Sequence, residues 1–253
     1  MAVIVALTNG SPHSWIILNA VVDRFGPVTV LTEDKEPRWE LLRRRLKRHG
    51  RVALAGQIGF VLLQRFIAKR SRTRIAEIVQ TQGLNPEPNP ACEVIPVGSV
   101  NSQACREALT RLHPDVVIVI GTRIIRAETL EAIRAPLMNL HSGMTPMYRG
   151  QAGGYWALAK GDPDHAGVTI HLVDAGVDTG DVLYQAGFKA AKQDNFSTYF
   201  YLQAAVFRPM VVQAIEDALR GDLKPFKPDL PSEQFHHPTI WGYLWTGLAK
   251  GVW

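Results

Sequence analysis

Short apolar runs alternate along the chain with longer stretches in which apolar residues return every three or four positions. Residues 2–8 form the first run. It enters a glycine-containing turn, Thr8-Asn9-Gly10-Ser11-Pro12, and then a helical pattern over 13–25. A second run covers 28–31. Between 37 and 82 three helical patterns follow one another, over 37–50, 52–66 and 71–82. Pro37 opens the first, Gly50 closes it, and the second is the most apolar. A loop (GLNPEPNP, 83–90) leads to a strand at 93–97 and a helix from Asn101 or Ser102 to 112. The run DVVIVI at 115–120 is apolar almost throughout, as a strand covered on both faces is. Helix at 127–134, strand at 137–140 and a short helix at 155–160 come next. Two alternating segments, 168–173 and 182–189, read as antiparallel strands, and a long covering helix spans 198–219. Strands interleaved with helices predict the α/β class, as a single doubly wound, mostly parallel sheet. Residues 1–221 form the main domain. Residues 222–253 form a linker with three prolines and an aromatic tail containing Trp241, Trp245 and Trp253.

Charge changes this picture at one place. The whole chain carries +5, but residues 38–74 hold 12 Lys or Arg against the single acid Glu40, so that segment is +11 and the rest of the chain is −6. Arginines on a solvated helical face account for such a segment. So do docking of an acidic or phosphorylated partner, a subunit interface that makes a homodimer, and contact with an anionic membrane surface. No nucleic-acid partner is expected, because the segment lacks interleaved aromatics and any reading motif. The tail tryptophans are expected to pack against the protein. No run reaches the ~18–20 apolar residues of a membrane helix. The first residues lack a signal peptide's positive flank and cleavage site. Cys92 and Cys105 have no metal-ligand spacing, and the eight histidines form no HExxH pattern. These features predict a reduced, cytoplasmic protein without a metal. The absence of GxGxxG argues against a nicotinamide cofactor.

Candidate chemistry gathers between 137 and 185. Asn139 and His141 stand two apart on an extended segment, which puts both side chains on one face. Asp178 follows in a turn between two apolar, β-branched runs, placed to aim a carboxylate back at them. A histidine there can take or give a proton near neutral pH. An asparagine amide can donate to an oxygen that gains negative charge. The aspartate can orient the imidazole or hold a water. Ser142 lacks the Gly-x-Ser-x-Gly setting of a nucleophile, so direct attack by a substrate amine fits this trio better than a covalent acyl-enzyme does. His171, alternating with Ile170 and Leu172, reads as a structural histidine.

Asn-x-His at 139–141, Tyr148-Arg149-Gly150, Gly-Val-Thr-Ile-His at 167–171 and Val-Asp-Thr-Gly-Asp-Val at 177–182 together resemble the signature of the 10-formyltetrahydrofolate-dependent formyltransferases. That family includes glycinamide ribonucleotide, methionyl-tRNA and nucleotide-sugar formyltransferases. The resemblance implies their Rossmann-like fold, with residues 36–83 as a basic helical insertion after the second strand. It implies that Asn139, His141 and Asp178 are catalytic and that 10-formyltetrahydrofolate donates the formyl group. Gly121, Arg123, Ile124 and Ile125 would line the folate pocket, with the backbone of Arg123 and Ile125 on the pterin edge. Val173, Gly176 and Asp178 would wrap the pterin from the other side. The turn Asn9-Gly10-Ser11 resembles a substrate-phosphate loop, with Pro12 where a further donor is usual. Tyr148, Arg149 and Gly150 would reach the acceptor. The tail is short for the barrel that methionyl-tRNA formyltransferases append, which points to a small-molecule amine. A nucleotide-linked amino sugar, glycinamide ribonucleotide, and water all remain open as acceptors, as does a binding module without catalysis.

Overall fold

The computed structural model describes residues 2–253, apart from the side chains at positions 38, 41, 44, 48 and 49. The basic side chains of Arg38, Arg44 and Arg48 therefore lie outside the described residues. In chain order the elements are β1 (Ile4–Thr8), α1 (Pro12–Phe25), β2 (Thr29–Glu33), α2 (Arg38–Arg70), α3 (Arg72–Thr81), β3 (Glu93–Gly98), α4 (Gln103–Leu112), β4 (Val116–Ile120) and α5 (Ala127–Leu130). There follow β5 (Leu137–His141), β6 (Arg149–Gly150), α6 (Gly153–Lys160), β7 (Gly167–Leu172), β8 (Val182–Gly187), α7 (Phe196–Arg220), β9 (Gln234–Phe235) and α8 (Ile240–Lys250).

Seven strands form one sheet in the order β3-β2-β1-β4-β5-β7-β8. The first five are mutually parallel, and β7 and β8 add on antiparallel. This is the doubly wound sheet that the pattern predicts. β1 and β4 are buried at every position because both faces are covered. One face packs Ile4, Ala6, Ile118 and Met138 against Ile16, Phe207 and Ile215 of α1 and α7. The other packs Val5, Leu7, Val117 and Val119 against Leu109 of α4 and Ile125. The strand order reverses between β1 and β4, and the carboxyl ends at such a reversal are where ligands bind in these folds.

The helical stretch after β2 follows its sequence pattern: Gly50, with φ of 76° and ψ of 174°, is non-helical and divides α2 into two helical segments, the second running on to Arg70. The expectation that no segment has the make-up to span a bilayer is corrected. Gly50–Arg70 is long and apolar enough by length and composition, because its few charges cluster at the ends and leave the middle apolar. Here that segment packs on the protein. Phe60 is fully buried against Tyr243 and Phe196, with ring centroids 5.0 and 4.9 Å away. The tail accordingly folds as α8, capped by Thr239, whose side chain accepts from the Gly242 N–H. Gly56 is required at this crossing, since a Cβ there would lie 2.4 Å from the Trp241 ring. The proline-bearing stretch before it is tied down as well. Phe226 exchanges two backbone hydrogen bonds of 2.9 Å with Val182, and β9 pairs with β6.

Candidate active site

β5 delivers the first two residues of the trio as its two-residue period requires. The Asn139 and His141 side chains share a face, and β7 lies antiparallel beside them with Asn139 opposite His171 and His141 opposite Thr169. Asp178 comes from the 174–180 turn between β7 and β8. Its backbone is left-handed, with φ at 50°, a conformation that Asp and Asn adopt more readily than other non-glycine residues. The turn is held by the Asp174 carboxylate, which accepts from the Thr179 hydroxyl (2.8 Å) and the Gly176 N–H (3.0 Å).

The three side chains converge. Asp178 Oδ2 accepts from the Gly150 N–H at 2.8 Å and lies 3.5 Å from His141 Nδ1. Asp178 Oδ1 accepts from Asn139 Nδ2 at 3.2 Å. Burial by itself would raise the Asp178 carboxyl. The positive potential of the adjacent His141, the imidazole of His171 and the Gly150 N–H outweigh it and hold the group well below the usual carboxylate range. Asp178 is thus a fixed negative charge at neutral pH. On the far side of its ring, His141 Nε2 is 2.8 Å from the Tyr148 carbonyl, which accepts from it as an N–H. Nδ1 is then the nitrogen that faces the carboxylate. In this arrangement His141 must release one protein partner before it touches a substrate.

His171, read as a structural histidine, is satisfied by protein groups at both ring nitrogens and lies beside this cluster. Its Nδ1 lies 2.7 Å from the Leu172 carbonyl and donates to it, which leaves Nε2 as an acceptor 3.0 Å from Asn139 Nδ2. Both amide protons of Asn139 are then engaged, one by Asp178 and one by His171. The signal was present in the sequence: the alternation Thr169, His171 faces the same side as Asn139, His141 once the two strands pair. What the sequence lacked was the pairing partner.

Of Tyr148, Arg149 and Gly150, expected at the acceptor, the Tyr148 side chain is turned away, while Arg149 and Gly150 stand beside Asp178. The Tyr148 ring is buried, stacked on Phe235 at 5.5 Å, and its hydroxyl donates to Asp162 at 2.7 Å, so it does not reach an acceptor. Arg149 donates to the Val177 carbonyl (2.8 Å) and the Ser232 hydroxyl (2.9 Å), which ties the Asp178 turn to the tail. The three residues brace the trio from behind because β6 is locked between the turn and β9. Gly143 is required here by packing. A Cβ on it would sit 2.3 Å from the Tyr148 carbonyl oxygen and 2.8 Å from His141 Nε2.

The remaining predicted residues line the carboxyl edge of the sheet. Asn9 Nδ2 donates to the Gly121 carbonyl at 2.7 Å, bridging the ends of β1 and β4. The turn's own amides are engaged: Ser11 N–H donates to Asn9 Oδ1 (3.0 Å) and Gly10 N–H to the Thr8 hydroxyl (3.2 Å). Ile125 is buried and shares an apolar cluster with Val173, while Ile124 is exposed, so two separate segments supply one apolar edge. The Arg123 N–H, expected on a pterin, donates here to Glu33 Oε1 at 2.7 Å, and its guanidinium pairs with the same carboxylate at 2.8 Å. A cavity of about 200 Å³ adjoins Asp178, lined among others by Thr145, Arg149, Thr179, Phe226 and Lys227.

The chain is similar to known proteins in sequence and in fold. A methionyl-tRNA formyltransferase of Limosilactobacillus fermentum is 29% identical over 138 residues, which is 54% of this chain and 43% of that protein; the chain thus spans less than half the length of such curated relatives. A sugar N-formyltransferase of Shewanella sp. superimposes with a TM-score of 0.57 at 14% identity, over 93% of this chain and 76% of the other. An N-formyltransferase of Helicobacter canadensis, solved in complex with folinic acid and dTDP-3-aminofucose, does so with a TM-score of 0.57 at 16% identity, over 93% and 71%. These two likenesses are of fold. The family model described as formyl transferase matches residues 68–205, more than half of the chain and the whole of the Asn139, His141 and Asp178 constellation, and the chain belongs to that family.

Proposed function

We propose that this protein transfers a formyl group from 10-formyltetrahydrofolate to the primary amine of a small-molecule acceptor, with a nucleotide-linked amino sugar as the acceptor class. The observation that carries the reading is the seating of Asp178: one oxygen on the Gly150 N–H and facing His141 Nδ1, the other on the Asn139 amide. A carboxylate kept ionised against burial, touching both a proton-transfer group and an amide donor, is an arrangement for moving a proton beside an oxygen that gains charge. A binding module has no need of it.

The folate would supply the activated formyl carbon. Ile125 and Val173, already in one apolar cluster, fit the flat apolar body of a pterin, and Ile124 presents further apolar surface beside them. For Arg123, a ligand would have to take the place of Glu33 at the backbone N–H. On the chain's side, Asn139 turns one amide proton from His171 or Asp178 to the reacting oxygen. His141 exchanges its Tyr148 or Asp178 contact for the substrate and carries the proton. Asp178 accepts a hydrogen bond from the protonated ring. His171 positions Asn139 and does not itself touch substrate.

Two observations weigh on the acceptor. The amides of Gly10 and Ser11 are satisfied within their own turn, and Pro12 has no N–H, so this loop offers a phosphate little. That disfavours glycinamide ribonucleotide. The cavity beside Asp178 suits a small ring, and the exposed Lys227 ammonium on its lining, 3.5 Å from Asp181 Oδ1 here, can exchange that carboxylate for an anionic group. The dTDP-3-aminofucose bound by the Helicobacter canadensis relative is of this class.

The test is release of tetrahydrofolate, followed by absorbance, with a panel of nucleotide-linked amino sugars, glycinamide ribonucleotide and buffer alone, and with His141→Ala as control. Turnover that depends on an amino sugar and is lost in His141→Ala is the expected result. Turnover in buffer alone, also lost in the variant, would make the protein a hydrolase. Folate binding without turnover on any amine would overturn the acceptor class.

A further inference from the structure

We propose that the outward faces of α2 and α8 form a membrane-seating surface whose partner is a bilayer carrying anionic lipid. The proposal stands apart from the chemistry above. It begins with where large apolar side chains are exposed: among the described residues, eleven of the seventeen lie on these two helices.

On α8 the outward residues are Trp241, Leu244, Trp245 and Leu248, at i, i+3, i+4 and i+7. That spacing gives one apolar stripe, and a surface helix normally turns such a stripe inward. Here the inward positions are taken by Tyr243 and Gly247, both buried, so α8 is apolar on both sides. Trp245 and Leu248 are 71% and 78% exposed, which for residues of this size on an ordered, capped helix calls for a partner. On α2 the exposed apolar residues Ile58, Leu62 and Phe66 recur every fourth position, a second stripe. The two helices that carry these stripes pack together at Gly56 and Trp241.

The charge around the stripes names the partner. Arg51 precedes the α2 stripe, Arg65 lies between Leu62 and Phe66, and Lys69 and Arg70 follow it, all exposed. Upstream on the same helix are Arg43 and Lys47, in the segment whose formal charge is +11. An apolar stripe ended by cations, with tryptophans at its side, is the pattern of a helix lying in the headgroup region. Apolar groups enter the acyl boundary there, and lysine and arginine reach the phosphates. A second copy of the chain would set two such basic segments against each other, and nucleic acid would leave the apolar stripes exposed. Phe60 and Gln57 are buried against the protein, so α2 lies on the bilayer and does not cross it.

The experiment is co-sedimentation of the full chain with vesicles of phosphatidylcholine alone and of phosphatidylcholine with phosphatidylglycerol, at low and high salt. Two variants accompany it, Trp245→Glu/Leu248→Glu and Arg51→Glu/Arg65→Glu/Lys69→Glu, each checked for native circular dichroism. All five positions are exposed, so both variants should fold. The expected result is binding to phosphatidylglycerol vesicles that high salt weakens. The apolar variant should bind roughly tenfold less tightly or worse. The charge variant should lose roughly fivefold per cation removed. Brominated acyl chains should quench tryptophan fluorescence in the parent and not in Trp245→Glu/Leu248→Glu. No sedimentation with either vesicle overturns the proposal. In that event, a dimer in sedimentation velocity that the apolar variant dissociates would assign the face to a second copy, and RNA binding lost in the charge variant would assign it to nucleic acid. Vesicle binding unchanged in both variants overturns it too.

Discussion

Asp178 holds the site together through two properties that one substitution can separate. Its charge serves His141 and Asn139, and its left-handed backbone shapes the turn. Asp178→Asn keeps a residue that tolerates that backbone and keeps an acceptor for Gly150. Turnover should therefore fall about 10²–10⁴-fold, with the melting temperature nearly unchanged. Asp178→Ala should lose as much activity and also about 1 kcal/mol of stability, because alanine is strained at this φ and leaves the Gly150 N–H unpaired. Comparing thermal melts and kcat of the two variants checks both halves. Gly143→Ala should cost about 1–3 kcal/mol in urea unfolding, and it should lower activity by pushing the Tyr148 carbonyl off His141. The trio itself was legible at this scale, because a histidine, an asparagine and an aspartate interrupt apolar runs at spacings that a strand and a turn convert into proximity. Tyr148 was misread because a tyrosine in a glycine-rich loop gives no hint of its own burial. That burial is set by Phe235, 87 residues further on in the sequence.

Elements decide what the single residues could not. The place of His171 beside Asn139 follows from the antiparallel register of β5 and β7, and register is a property of the pair. The sheet's strands and most helix limits could be read from apolar period alone. So could the break at Gly50 that divides α2, but not the angle between its two halves, which a glycine leaves open. The docking of α2 on α8 depends on one side chain above others. Phe60 is fully buried among Tyr243, Phe196 and His237. Phe60→Ala should cost about 3–5 kcal/mol, measured by chemical unfolding. It should also free α8 first, seen as faster amide exchange in that helix than in the sheet.

For the whole molecule, two buried histidines make stability depend on pH, His237 at this seam and His13 on α1 against Phe200. Burial, with Arg45 and His236 nearby, pushes His237 down to about 4, and burial pushes His13 down to about 4. Both rings stay neutral in the folded chain where the unfolded chain, at about 6.5, already takes a proton. Their contribution is therefore complete above about 6.5 and shrinks as pH falls toward 4, on the order of 1.4 kcal/mol per pH unit for each ring. Urea unfolding at a series of pH values should show this slope, and His237→Phe should reduce it. His237 joins α2, α7 and the tail, so acid loosens the part of the molecule that holds β9 against β6 and, through Arg149, the Asp178 turn. The central claim is that this site moves a formyl group between two bound molecules. It is tested most directly by giving the protein 10-formyltetrahydrofolate labelled at the formyl carbon together with a nucleotide-linked amino sugar, and following the label by mass spectrometry. The account predicts labelled formamide on the sugar with the parent protein and none above background with Asp178→Asn. Label recovered only as formate, or a product formed equally by the variant, would contradict it.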